Sequence, residues 1–302
     1  MSIHLRVFCV IAIGATLGGS ALAAADADGI DRDSYFRAHP CGRAMAYGAD
    51  EAFAECTREI ETGKGDPDDI AQNIDWRGEA YVGVGDFDRA LADYNEALKR
   101  CASRRGGCAE VAIETLTNRG NLYFYVKKDY DRALADFNDA FQLEGGGARD
   151  YSGISDLYYA IGNVYYVKNN YDRALANYDE AIRRRPEDWH PHDGRGDVFA
   201  GRKDLVTAIA EYSESIRLHT VMVTAGMNGT FMTGRMGALV YTNRGLAYEA
   251  TGDSEHAKAD YKAALAMPSV AKQRTAPWNQ QIDQQARDKA RERLAAMGIS
   301  VQ

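Results

Sequence analysis

One spacing recurs five times and limits what this chain can fold into. It is a glycine, an aromatic three residues later, an alanine twelve after the glycine and a second aromatic four beyond that, usually followed by a further alanine after three. The clearest copy is Gly78, Tyr81, Ala90, Tyr94, Ala97. The second, Gly120, Tyr123, Ala133, Phe137, Ala140, is one residue longer between glycine and alanine. Gly162, Tyr165, Ala174, Tyr178, Ala181 and Gly245, Tyr248, Ala257, Tyr261, Ala264 keep the spacing. So does Gly196, Phe199, Ala208, Tyr212, with Ser215 in the last alanine place. Gly162 and Gly196 lie 34 residues apart, and the other intervals are longer. A period of this length marks stacked supersecondary units, none of which can bury its apolar face alone.

Each copy reads as two antiparallel helices, because small and apolar residues fall at helical spacing on both sides of a short turn. The predicted turns are Gly85-Asp86, Lys128-Asp129, Asn169-Asn170, Lys203-Asp204 and Gly252-Asp253. Each puts an Asp or Asn where the second helix needs an acceptor for its free N–H groups. The register of small and aromatic residues resembles the tetratricopeptide repeat family. That resemblance implies an all-α fold, a right-handed superhelix of five helix hairpins whose first helices line a concave groove. The expected repeats span about 71–104, 113–147, 155–188, 189–222 and 238–268 within 71–268, with an insertion at 219–237. Helical caps are expected at 24–70, where Ala52, Cys56 and Ile60 share one face, and at 269–302, where Gln284–Met297 forms a polar-faced helix.

An arginine precedes the repeat glycine in four copies: Arg77, Arg119, Arg195 and Arg244. The same four carry an acid just before the second aromatic: Asp93, Asp136, Glu211 and Asp260. The third copy has Ile161 and Asn177 instead. Arginine and acid come and go together, as expected of ion pairs inside each hairpin, where a lone partner would be left desolvated.

Positions six and three before the glycine, and one and four after it, share one face of each first helix. Seven of these twenty residues are acidic and none is Lys or Arg, against about three acids and about two bases from overall composition. The candidate ligand groove comprises Asp75, Glu79, Glu114, Asn118, Asn121, Phe124, Asp156, Tyr159, Asn163, Tyr166, Asp193, Asp197 and Asn243. Asn118 and Asn243 stand two residues before their glycines. They are similar to the asparagines that hold peptide backbones in the repeats of O-linked N-acetylglucosamine transferase. The lysines of a carboxylate clamp are absent, and Asp75 and Glu79 stand in the corresponding places. A negative, partly aromatic groove is expected to attract basic segments.

His4 and Arg6, the uncharged run Val7–Ala25 and the small residues ending at Ala23 read as a secretory signal, 1–23, rather than an anchor, because glycines dilute the run. No integral membrane segment is then expected in the mature chain, and its place is the periplasm or the exterior. Cys9 leaves with the signal, so Cys41, Cys56, Cys101 and Cys108 remain. An even count in an exported chain reads as two disulfides, and sequence proximity favours Cys41–Cys56 and Cys101–Cys108 among three connectivities.

The net charge of -8 argues against a partner recognised through phosphates, so no nucleic acid is expected. Met222, Met227, Met232 and Met236 crowd the insertion, a soft-ligand set that raises a copper-handling alternative. Their spacing fits neither a tight ligand run nor one helical face, and a hairpin turning at Asn228-Gly229 is the plainer reading. His190, His192 and Asp193 form a weaker metal candidate. No phosphate loop, nucleophile elbow or H-E-x-x-H run occurs, so no catalytic residue, metal or cofactor is assigned. An enzyme with an unrecognised site is the remaining alternative. The sequence thus points to an exported, non-catalytic scaffold that binds a protein or peptide in its groove.

Overall fold

In all five hairpins the turn residue before the second helix has a left-handed backbone: Gly85, Lys128, Asn169, Lys203 and Gly252, with φ between 54° and 86°. The next residue caps the second helix, its side chain accepting the N–H of the residue three further on: Asp86, Asp129, Asn170, Asp204 and Asp253. The backbone N–H of each cap residue is bonded to the carbonyl of the first repeat aromatic: Tyr81, Tyr123, Tyr165, Phe199 and Tyr248. These are the turns predicted from sequence.

The computed structural model describes residues 40–44, 49–63, 66–102, 108–145, 152–224, 238–267 and 277–300. The fold is all-α, and among the described residues every regular element is helical. They are α1 (Pro40–Ala44), α2 (Ala49–Thr62), α3 (Pro67–Gly83), α4 (Phe87–Ala102), α5 (Ala109–Leu122) and α6 (Tyr130–Leu143). The series continues with α7 (Ser152–Val167), α8 (Tyr171–Arg184), α9 (His190–Gly201), α10 (Leu205–Thr224), α11 (Ala238–Ala250), α12 (Ser254–Ala266) and α13 (Pro277–Ala296). A π-helical turn, Tyr123–Lys127, extends α5 and absorbs the extra residue of the second repeat. Contacts divide the chain into two compact units, with α1–α6 in one and α7–α13 in the other.

Within each hairpin the two alanine places and the second aromatic form the core. All fifteen residues, including Ser215, are at most 1% exposed. The repeat glycine lets the helices approach: a Cβ on Gly78 would sit 2.7 Å from the Tyr94 ring, and one on Gly196 2.5 Å from that of Tyr212.

The amino-terminal cap is a shortened hairpin in the same register. Ala52 and Cys56 are fully buried, spaced like Ala90 and Tyr94, and Cys56 is joined to Cys41 of α1 (Cα–Cα 4.5 Å). Trp76 of α3 packs on both. Cys101 and Cys108 pair across the joint between α4 and α5 (Cα–Cα 5.2 Å). At the other end, α13 is docked by one buried ion pair. Asp283 accepts the N–H of Ala238 at the start of α11, while Arg287 donates to the carbonyls of Leu265 and Met267 at the end of α12. An anion at a helix start and a cation at a helix end match both dipoles.

The predicted signal, 1–23, the start of the amino-terminal cap and residues 225–237 of the insertion lie outside the described residues. Residues 219–224, the start of that expected insertion, continue α10 as helix. Among the described residues no helix is long and apolar enough to cross a membrane.

Candidate interaction face on the first helices

The arginine in front of the repeat glycine clamps three helices. Arg77 donates Nε and Nη2 to the two carboxylate oxygens of Asp93, at 2.8 and 2.8 Å, and Nη1 to Thr57 of α2. Arg119 holds Asp136 in the same way and reaches Asn95 of α4. Arg244 holds Asp260 and reaches Ser213 of α10. Arg195 binds Glu211 and Asp179 of α8. In every case the third partner stands at the same register of the preceding second helix, one residue after its buried aromatic or, in the cap, after Cys56. In the third hairpin Asn177 turns back to the Arg173 carbonyl of its own helix.

The face predicted as an open acidic groove is largely closed. Asp75, Glu79, Asn118, Asn121, Phe124, Tyr159, Asn163, Asp193, Asp197 and Asn243 are buried, and Glu114, Asp156 and Tyr166 are half-buried. Successive first helices come close enough for their polar side chains to meet. Asn118 Nδ2 bonds Asp75 at 3.2 Å and Glu79 at 2.9 Å, and Gln72 bonds Glu114 at 2.9 Å. In the other unit Asp197 accepts from Asn243 at 3.2 Å and from the Tyr212 hydroxyl at 2.8 Å. Asn163 accepts from Tyr178 at 2.7 Å.

These rungs obey a rule. An acid one residue after a repeat glycine meets an Asn two residues before the next glycine, as Glu79 meets Asn118 and Asp197 meets Asn243. Where the acid gives way to Asn121 or Asn163, the next repeat has Ala160 or Gly194 instead. Both asparagines thus donate Nδ2 within the chain.

Burial dominates the electrostatics. It raises Asp75 to about 7, with Asp93 adding to the rise and bonds from Thr115 and Asn118 opposing it. Glu79 and Glu114 are pushed well above the usual carboxylate range by burial and by neighbouring acids. Asp197 is raised by burial and by Asp193.

Bases reach the face after all. Arg185, from the turn after α8, binds both Asp156 and Asp188. Burial pushes Asp188 up, but His190 and Arg185 together hold it below its ordinary value. The predicted metal candidates separate, His190 Nδ1 to Asp188 and His192 Nδ1 to Glu211. Among the described residues no three His, Cys, Asp or Glu side chains are grouped to hold a metal ion. Sequence reasoning missed Arg185, Asp188 and the Asp283–Arg287 dock, none of which recurs between repeats. Tyr166 stacks on Tyr171, and Phe124 packs on Tyr125 and Tyr130.

Two family models, both described as tetratricopeptide repeat, match the chain, one at residues 159–220 and the other at 71–103 and 238–269. The chain is a tetratricopeptide-repeat protein. Solved structures agree on the fold. BtubC (BKLC) from P. vanneervenii is 18% identical with a TM-score of 0.56, over 74% of this chain and 89% of that one. PilF of Pseudomonas aeruginosa is 15% identical with a TM-score of 0.54, over 76% and 89%. A tetratricopeptide repeat protein from Parabacteroides merdae is 17% identical with a TM-score of 0.50, over 92% and 98%. No curated protein sequence matches the chain. Tetratricopeptide-repeat proteins bind protein or peptide partners, which makes this chain an interaction scaffold.

Proposed function

We propose that this tetratricopeptide-repeat protein is an exported, non-catalytic adaptor that holds a protein or peptide segment on its first-helix faces. One observation carries the reading. Within each unit buried side chains of that face, Asp75, Glu79 and Asn118 in one and Asn163, Asp197 and Asn243 in the other, are bonded inside the chain, while other residues at the same register stay half-exposed. They include Gln72 and Glu114 in one unit, and Asp156, Tyr166, Leu239 and Leu246 in the other. Recognition then rests on aromatic and apolar contact rather than on a continuous acidic wall. Export is supported by the leader-like sequence 1–23 and by the close pairing of Cys41 with Cys56 and Cys101 with Cys108, which become disulfides in an oxidising compartment.

A photo-crosslinking residue at position 166 or 114 of the full chain, expressed in its own cell envelope, tests the binding face. Capture of a partner there and not from Lys99, on the exposed side of α4, supports the reading; equal capture from Lys99 overturns it. The recovered chain should begin after Ala23, and a retained leader would refute export.

A further inference from the structure

Two acid pairs sit at one register of different units. Asp75 and Glu79 on α3, and Asp193 and Asp197 on α9, lie three residues before and one after their repeat glycine. All four are buried, and like charges four apart on a helix repel even at its surface. The bonds that reach Asp75, Glu79 and Asp197 come from neutral groups: Asn118 and Thr115 in one unit, and Tyr212 and Asn243 in the other. One amide and one hydroxyl cannot offset the two buried negative charges of Asp75 and Glu79.

The surroundings offer little relief. Around the first pair, Arg77 is held by Asp93, α4 contributes Asp93 and Tyr94, α5 contributes Glu114 and Glu110, and Glu61 of α2 faces Arg77. Around the second, Arg195 is held by Glu211 and Asp179, His192 by Glu211, and Arg244 by Asp260. Tyr212 of α10 and Tyr166 of α7 also face this site.

We propose that the buried pair Asp75–Glu79 retains a proton in the folded chain, making the α3–α5 joint a pH-sensitive device that tightens on acidification. A shared proton turns one carboxyl of a pair into a donor and removes the repulsion. Stability from Asp75 is fully present below its ordinary range near 4 and is lost as pH rises through about 7. Glu79 and Asp197, raised by burial, act in the same direction.

The test uses the full chain unfolded by denaturant in weakly buffered solution, with a pH indicator counting protons. At neutral pH, unfolding should release about one proton from this pair. The folding equilibrium should strengthen on acidification by up to about tenfold per pH unit for each retained proton. Glu79→Gln, and separately Asp75→Asn, which imitate the protonated acids, should each reduce the release and flatten the pH slope. Unfolding of the unaltered chain without proton release overturns the proposal whatever the variants do. Folded variants with undiminished release and slope overturn it equally.

Discussion

Removing Asp93 should strand Arg77 in the first hairpin. The Arg77 side chain is 20% exposed and that of Asp93 11%, and two bonds of 2.8 Å join them. Breaking a buried pair by deleting one partner costs about 3–5 kcal/mol. Water at the rim of the guanidinium and the surviving bond to Thr57 lower that figure. Loss of the Asp93 charge also relieves Asp75, which it faces. Asp93→Ala should therefore cost about 2–3 kcal/mol. Arg77→Ile leaves a carboxylate facing Asp75 and should cost more, about 3–4 kcal/mol.

The third hairpin supplies the control, since Ile161 and Asn177 occupy the same two places. The double variant Arg77→Ile with Asp93→Asn copies that arrangement and should fall within about 1 kcal/mol of the natural chain. Urea denaturation followed by fluorescence suits the measurement, because Trp76 is buried next to Arg77 in the sequence while Trp189 and Trp278 report on the other unit. With Asp93→Asn as the second single variant, costing about as much as Asp93→Ala, the clamp predicts a coupling energy of about 4–7 kcal/mol between the two sites. Additive single-site losses, or an Asp93 loss larger than the Arg77 loss, would refute it.

Gly78→Ala gains about 1 kcal/mol of helix propensity but puts a Cβ 2.7 Å from the buried Tyr94 ring, so a net loss of about 1–2 kcal/mol should appear in denaturant midpoints. Lys203→Gly relieves a left-handed φ of 67° and should stabilise by about 0.5–1 kcal/mol, seen as a raised melting temperature. Arg287→Leu strands Asp283 and uncaps α12, a loss of about 3–5 kcal/mol that should also speed amide exchange in the last turn of that helix. Reduction opens the Cys101–Cys108 loop and should cost about 2–3 kcal/mol; reactive thiols at Cys101 and Cys108 in the unfolded, unreduced chain would remove the premise.

How much was legible follows from whether a residue has counterparts in the other repeats. Turns, caps and buried aromatics could be read because five copies agree. The ion clamps could be read because the third copy loses Arg and acid together, at Ile161 and Asn177. The same comparison also contains the rungs: Glu79 precedes Asn118 and Asp197 precedes Asn243, while Asn121 and Asn163 precede Ala160 and Gly194. That signal runs between neighbouring repeats, and comparing copies position by position does not expose it. A helical face, moreover, says which side chains point together but not what lies opposite. The polar row on α3 looks like a groove until α5 is brought beside it, and then Asn118 joins Asp75 to Glu79. Arg185 with Asp156, and Asp283 with Arg287, have no counterparts at all, because joints and caps occur once. Their partners are set by packing at the ends of helices, which periodicity does not encode. The residues most open to a partner are also those whose partners inside the chain are hardest to read, so Tyr166 and Glu114 are better probes of binding than the acids that first drew attention to the face.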